Sequence, residues 1–162
     1  KSGDHILICL QRNGGWSMRG LHVQQWLDTT ILQIRKYSNR PIVVRTHPGD
    51  KKAISYSRVL NGPGITLSTN TSLLHDLSNS WATVVYNSSP SVASVIEGIP
   101  TFVLDPSYSQ SSSVANCNLC DIEKPVMPER LAWIQSLAQC HWNNEDLTSG
   151  RAWRHMRNYL RQ

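Results

Sequence analysis

The chain has 162 residues, of which 40% are hydrophobic and 17% are charged. This composition is too apolar for a disordered segment and excludes a coiled coil or collagen, and no apolar run reaches the roughly 20 residues that cross a bilayer. Sixteen Lys and Arg against eleven Asp and Glu give a net charge of +5, which favours an anionic partner such as a phosphate compound, a membrane surface or nucleic acid. The length predicts a single domain over residues 1–162.

Short apolar runs alternate along the chain with segments of helical periodicity. Apolar and β-branched residues predict strands over 5–10, 41–45, 65–68, 82–86 and 101–104. The clearest helix follows the first strand, where one face repeats at spacings of three and four residues: Val23, Trp26, Leu27, Thr30, Ile31 and Ile34. Further helices are predicted over 51–60, 73–78, 90–97, 128–140 and 144–160.

Strands that are apolar on both faces and alternate with helices predict an α/β, Rossmann-like parallel sheet with helices on both faces. The last helices, over about 128–162, would close the domain. In such folds the ligand binds outside the carboxyl ends of the strands, so the turns that follow the strands are the places to look for a site. The absence of G-x-G-x-x-G after the first strand argues against a dinucleotide oxidoreductase, and the absence of G-x-x-x-x-G-K-[ST] argues against a P-loop NTPase.

The turn after the first strand begins with Gln11, Arg12, Asn13 and Gly14 and runs to Gly20. Glycines, arginines and amide side chains make a loop that can wrap a phosphate or a sugar. The alternative is an ordinary surface connection. The loop exceeds the usual ~2–6 residues of a turn between a strand and a helix, which favours a functional role.

The turn after the second strand carries Arg45 and His47, which alternation places on one strand face, and Pro48 then ends the strand. An imidazole here can donate a hydrogen bond to a phosphate oxygen or stabilise a leaving group. The alternative is a structural histidine. The neighbouring arginine and the position at a strand end favour function.

The turn after the fourth strand carries Ser88, Ser89 and Ser91, with Ser89 as a predicted N-cap and Pro90 as the first helical residue. Hydroxyl groups and the free amides at a helix start favour a phosphate. Glu97, about two turns further along the helix, could accept hydrogen bonds from the diol of a ribose. The alternatives are serines that only cap a core helix and a glutamate that is merely exposed.

These turns together resemble a known family. The resemblance lies in the pair His47-Pro48 with Arg45 before it, in the run Ser88–Ser91 followed by a small-residue helix that ends Glu97-Gly98-Ile99-Pro100, and in Gln11 at the end of the first strand. Residues 131–133, 140–145 and 150–153 also resemble the tail of such proteins. On these motifs the chain resembles the C-terminal, donor-binding half of a GT-B glycosyltransferase, in the capsule-polysaccharide group of Kdo-transferase and sialyltransferase-like proteins.

The resemblance implies a function and roles for individual residues. His47 and the Ser88–Ser91 turn would hold the phosphate of a CMP-, UDP- or GDP-linked sugar, His47 would stabilise the leaving group, and Glu97 would contact the ribose. The nucleotide-sugar would be a substrate, and no further cofactor is expected. The function implied is donor binding in a hexosyl-, sialyl- or Kdo-transferase that builds a surface polysaccharide or another glycan.

One departure from the family affects the assignment of activity. A complete GT-B enzyme has an N-terminal acceptor domain that often carries the catalytic carboxylate, and this chain begins at the first strand of the donor domain. We therefore expect that acceptor domain to be absent here, and we assign no catalytic base. The alternative function is a non-catalytic module of the same fold that binds a nucleotide or an anionic sugar.

The cysteines are expected to be reduced thiols. Cys9 lies inside an apolar strand, which suits a cytoplasmic protein, and four cysteines do not form a disulfide framework in a chain of this length. Cys117 and Cys120 with Cys140 and His141 could supply zinc ligands, but two adjacent ligands strain a tetrahedral site. We therefore expect no bound metal.

The last helix carries a row of arginines on one face, Arg151, Arg154, Arg157 and Arg161, with Trp153, Met156 and Leu160 towards another. The pattern predicts a solvated basic face over a packed apolar one. The alternatives are docking on an acidic partner, peripheral contact with an anionic membrane surface such as the inner membrane, and nucleic-acid binding. Aromatic and basic residues are not interleaved, which argues against nucleic acid.

Overall fold

The computed structural model describes residues 3–50 and 62–160, so the helix predicted over 51–60 lies outside the described residues. The chain forms two compact units, Lys1–Pro128 and Glu129–Gln162. The division falls where the closing helices are predicted to begin. The description of residues 1–162 as a single domain stays a prediction.

One parallel sheet organises the first unit. Its described strands are β1 (His5–Cys9), β2 (Ile42–Arg45), β3 (Ile65–Leu67), β4 (Ser80–Val85) and β5 (Thr101–Val103). The order across the sheet is β3-β2-β1-β4-β5, and all neighbouring strands run parallel. β1 is central, with Ile8 opposite Val44 on one side and Val84 on the other. The predicted strands and the Rossmann-like α/β class are confirmed.

Helices cover both faces of this sheet. They are α1 (Val23–Arg35), α2 (Leu73–Leu77) and α3 (Pro90–Ile96). Alternate residues of β1 point to opposite sides: Ile6 and Ile8 belong to the core that includes α1, and Leu7 and Cys9 belong to the core that includes α2. Burial on both faces explains why β1 reads as a continuous apolar run, and each such side chain contributes about 1.5–3 kcal/mol. The six residues predicted for the inner face of α1 are all buried.

The C-terminus of α3 is capped by a glycine motif, whereas its N-terminus has no side-chain cap. At its end, Gly98 has φ 69°, the Ile99 N–H donates to Ser94 O at 2.9 Å and the Gly98 N–H donates to Val95 O at 3.0 Å, which is a Schellman motif. At its start, Ser89 is the N-cap by position but has helical angles and makes no side-chain cap bond. The predicted N-cap position of Ser89 and the predicted first residue Pro90 are confirmed, and the first turn closes through backbone bonds to the carbonyls of residues 88 and 89.

The second unit contains three described helices, α4 (Leu131–Cys140), α5 (Asn144–Thr148) and α6 (Arg151–Leu160). The single helix predicted over 144–160 is interrupted at Gly150, which has φ 71°. The side chain of Asn143 caps α5 by accepting the Asp146 N–H at 2.8 Å. Across the described part of the chain, no helix has the length and apolar character needed to cross a membrane.

The faces of α6 differ from the predicted ones. Ala152 is buried, and the His155 ring lies 5.2 Å from Trp142 and 5.4 Å from Tyr159. Trp153 is 62% exposed and Met156 is 45% exposed, so the prediction that these two pack inward is wrong. Residues three and four apart share a helix face, and the small Ala152 with His155 forms the packed face instead.

Candidate ligand-binding cleft

The sheet has a switch point between β1 and β4. These strands are neighbours, yet the chain leaves β1 towards β2 on one side and leaves β4 towards β5 on the other. Connections that diverge in this way open a crevice at the carboxyl ends of the strands. A cleft of about 520 Å³ lies there and is lined by the turns that follow β1, β2 and β4. Its volume is typical of small-molecule sites, which span roughly 300–1,000 Å³.

The lining of the cleft is basic and hydroxyl-rich. The described residues that line it are Cys9, Leu10, Gln11, Arg12, Trp16, Ser17, Arg45, Thr46, His47, Pro48, Leu73, Asn87, Ser88, Ser89, Pro90 and Tyr108. They include no Asp and no Glu. A cleft with cationic and hydrogen-donating groups and without described carboxylates suits an anionic ligand.

The structure brings together six of the residues predicted to bind the ligand. Turns from three strands place them on the cleft: Gln11, Arg12, Arg45, His47, Ser88 and Ser89. The two principal predicted phosphate contacts, His47 and the serine turn, therefore share one cleft. Their roles in binding stay predictions.

The other four predicted residues do not line the described part of the cleft. Asn13, next to Gly14, accepts the N–H of the first residue of α1 at 3.5 Å. Ser91 is buried, where it accepts from Ser111 at 2.6 Å and donates to a backbone carbonyl. Glu97 follows the last residue of α3, at the opposite end of that helix from the cleft. The seven residues of α3 separate it from Ser89, which is eight steps along the helix or about 12 Å.

His47 is placed to donate a hydrogen bond. Its side chain is exposed, and its Nδ1 accepts the N–H of Gly49 at 3.0 Å. With Nδ1 accepting, the ring proton lies on Nε2, which is therefore a donor. β2 ends at Arg45, so the prediction that Arg45 and His47 share a strand face is wrong; His47 belongs to the turn beyond the strand.

Arg45 lines the cleft, but its guanidinium is already engaged by the fold. It forms an ion pair of 2.5 Å with Asp76 and donates to the carbonyls of Asn70 and Thr71 at 2.9 and 2.8 Å. These bonds hold the segment between β3 and α2 against the end of β2. These contacts give Arg45 a structural role, and its predicted role in binding the ligand stays a prediction.

Asp76 is buried, and its neighbours keep its carboxyl group in the ionised form. Burial raises the pKa of its carboxyl group, but hydrogen bonds from Asn70, Ser68 and Arg45, together with the charge of Arg45, outweigh that effect and hold the pKa below its ordinary value. Ser68 donates to this carboxylate at 2.7 Å and Asn70 donates at 2.6 Å. The carboxylate is therefore a structural anion that fixes the turn after β3.

The two serines after β4 differ in exposure. Ser89 is exposed, whereas the Oγ of Ser88 is buried and has no hydrogen-bond partner among the described residues. A buried hydroxyl without a partner costs free energy. α3 has only seven residues, so the hydroxyls, His47 and Arg12 rather than a helix dipole are the described groups available for an anion.

Sequence reasoning missed the residues that tie the cleft's turns together. The side chain of Gln11 donates to Ser17 Oγ at 2.9 Å and accepts the Asn87 N–H at 3.2 Å. The Asn87 amide donates to Ser17 O at 3.0 Å and to Asp105 at 3.1 Å. The loop after β1 is therefore fixed to the turns after β4 and β5. The sequence feature that could have identified this contact is a polar residue, Asn87, shortly after a buried strand.

An aromatic pair at the cleft was also missed. Trp16 and Tyr108 both line it, with ring centroids 6.5 Å apart and planes at 84°. The guanidinium of Arg19 lies 5.2 Å from the Tyr108 ring and 3.7 Å from Asp105. Large aromatic residues inside a glycine-rich loop and a serine-rich loop were the signal that could have identified them.

The cysteines fall into two classes. Burial raises the pKa of the Cys9 thiol to about 12, whereas Cys117, Cys120 and Cys140 are exposed. Within the part of the chain that the structure describes, no group of three or more His, Cys, Asp or Glu residues is arranged to hold a metal ion. The expectation that the protein needs no metal stays a prediction.

No protein-family model matches the chain, and no curated protein matches it. Among solved structures, the chain is similar to KpsC of Thermosulfurimonas dismutans, a β-Kdo 2,4-transferase, with 15% identity and a TM-score of 0.48. The similarity covers 62% of this chain and 33% of that structure. The chain therefore spans about a third of the length of the structure that it matches.

Proposed function

We propose that the cleft binds a nucleotide-sugar and that the chain is the donor-binding part of a GT-B-type glycosyltransferase. One observation carries this proposal: the cleft lies at the switch point of the sheet and is lined by basic and hydroxyl groups, with no carboxylate among its described lining residues. The phosphates of a nucleotide are anionic, so a lining of this kind attracts them, whereas carboxylates would repel them.

In this proposal, the residues that line the cleft bind the phosphates and stabilise the leaving group. His47 Nε2, the hydroxyls of Ser88 and Ser89 and the guanidinium of Arg12 donate to the phosphate oxygens. As the bond between sugar and phosphate oxygen breaks, negative charge grows on the departing phosphate, and these donors stabilise it. His47 is thus the leaving-group stabiliser. The donor is a CMP-, UDP- or GDP-linked sugar used to build a surface polysaccharide or another glycan.

Titration calorimetry of the chain with CMP, UDP and GDP tests this proposal. We expect one of them to bind, and we expect His47→Ala to raise its Kd by roughly 5- to 150-fold, the effect of losing a charge-assisted hydrogen bond of about 1–3 kcal/mol. His75→Ala is the matched control, because His75 is exposed on α2 and does not line the described cleft. Failure of all three nucleotides to bind, with tight and salt-sensitive DNA binding instead, would contradict the proposal.

A second candidate is a binding module without turnover. It is favoured by the same lining, because no described carboxylate stands in the cleft to act as a general base. The two candidates differ in one measurement, which is the release of free nucleotide from a nucleotide-sugar by the product of the whole gene. Release that depends on His47 supports the transferase, and tight binding without release supports the module.

A further inference from the structure

Trp16 and Tyr108 present large aromatic surfaces to water at the cleft. Trp16 is 83% exposed and Tyr108 is 59% exposed, although the neighbouring Met18 is almost fully buried. Burying exposed aromatic rings against a ligand is favourable because it removes apolar surface from water, and flat ligands cover such rings well. The pair is therefore suited to a ligand with a planar ring.

The loop holds Trp16 in place rather than leaving it free. Trp16 begins a 3-10 turn closed by the Arg19 N–H, which donates to Trp16 O at 3.0 Å. Ser17 is tied to Gln11 and Asn87. Arg19 has φ 51°, a left-handed conformation that costs free energy in a residue other than glycine. The backbone strain at Arg19 therefore lies in the same turn as Trp16, whose indole is exposed to solvent.

Tyr108 is held by the segment that follows β5. It ends the 3-10 turn Pro106–Tyr108, and the Arg19 guanidinium lies near its ring. Asp105 orients that guanidinium and is itself tied to Asn87. The two rings therefore belong to one hydrogen-bonded framework, which reduces the entropy lost when a ligand orders them.

We propose that the base of the nucleotide stacks on the indole of Trp16, with the nearly perpendicular ring of Tyr108 against the edge of the base, while the turns after β2 and β4 bind its phosphate. This inference rests on the function proposed above. A sugar ring carries many hydroxyl donors and needs acceptors, and no described lining residue offers a carboxylate. A base instead offers two π faces to an aromatic ring, and such stacking tolerates different bases. The base is therefore the better occupant.

Comparison of nucleotides with ribose 5-phosphate, which has the phosphate but lacks the base, tests the inference. The binding of CMP, UDP, GDP and ribose 5-phosphate is measured by calorimetry for the chain, Trp16→Ala and Trp16→Phe. We expect Trp16→Ala to raise the Kd of the bound nucleotide roughly tenfold and to leave that of ribose 5-phosphate unchanged, because only the stacking contact is lost. Trp16→Phe should retain most of the affinity. Trp153→Ala, which removes an exposed tryptophan outside the cleft, should change neither.

The outcomes separate this inference from the proposed function. If Trp16→Ala raises both dissociation constants by the same factor, Trp16 only holds the loop and the inference is wrong. The unmodified chain could bind ribose 5-phosphate as tightly as the nucleotides, with His47→Ala weakening the binding of both. That result would support the proposed phosphate site and would contradict the binding of the base by the aromatic residues. If the unmodified chain binds none of the four compounds, the proposed function fails and the inference fails with it.

Discussion

Asp76 accepts hydrogen bonds from side chains on two segments that its own helix must meet. Ser68 and Asn70 come from the turn after β3, and Arg45 comes from the end of β2. Removing the arginine would leave a buried carboxylate with its charge uncompensated. We expect Arg45→Met to lower the free energy of unfolding by about 3–5 kcal/mol, measured by chemical denaturation. Arg157→Met, at an exposed position on α6, is the control and should change it by less than about 0.5 kcal/mol.

The depressed pKa of Asp76 gives a prediction with a definite sign. A carboxyl group whose pKa is lower in the folded state stabilises the fold at pH values above its unfolded pKa, and that stabilisation is lost as the pH falls through the folded pKa. We expect the difference in unfolding free energy between the chain and Asp76→Asn to be largest near neutral pH and to shrink below about pH 5. A difference that is constant or grows on acidification would show that Asp76 is not stabilised as an anion.

Thiol chemistry distinguishes the buried cysteine from the exposed ones. Only a thiolate attacks a disulfide reagent, and burial raises the pKa of Cys9 to about 12. At about pH 8 we expect the three exposed thiols, Cys117, Cys120 and Cys140, to react quickly, and the fourth to react only when the chain is denatured. Cys9→Ala should leave the fast phase unchanged. Rapid reaction of all four thiols in the native chain would contradict the packing of β1.

At the scale of elements, Asn87 joins the turns that form the cleft. Its side chain bridges the loop after β1 and Asp105 after β5. We expect Asn87→Ala to lower the free energy of unfolding by about 1–3 kcal/mol, because Asp105 loses a buried partner. It should also weaken nucleotide binding, because the loop loses its anchor. Asn118→Ala, at an exposed asparagine whose side chain makes no cap bond, is the control; equal losses in the two variants would contradict the anchoring role.

The elements also show what a sequence can predict and what it cannot. β1 and α1 were predictable because their burial produces a continuous apolar run and a three-four repeat, which are local patterns. The engagement of Arg45 was not predictable, since its partner Asp76 is 31 positions away and nothing local marks a buried carboxylate. The break at Gly150 was missed because a single glycine is also tolerated inside a continuous helix, so its left-handed conformation could not be read from its neighbours. Trp16 was missed because exposed aromatic residues have no periodicity.

At the scale of the whole molecule, the net charge of +5 and the basic cleft predict a response to salt. Screening shortens the reach of charges, from roughly 30 Å at about 0.01 M to roughly 3 Å at about 1 M ionic strength. We expect the affinity for UDP, or for whichever nucleotide binds, to fall as NaCl is raised across this range. The affinity for the matching nucleoside should stay constant, because it carries no phosphate. The difference between the two slopes isolates the contribution of the phosphate.

The size of that salt slope also separates a nucleotide site from a nucleic-acid surface. A single nucleotide contacts a few cationic groups, so its affinity should change only moderately with salt. A protein that neutralises several DNA phosphates loses roughly 10³- to 10⁵-fold in affinity over a modest rise in salt, because it releases condensed counterions. A shallow slope for the nucleotide that becomes shallower still in Arg12→Ala would place part of the attraction on the turn after β1, because Arg12 is a charged residue that lines the cleft. A slope that Arg12→Ala leaves unchanged would mean that the charge of the whole chain, and not this cleft, attracts the ligand.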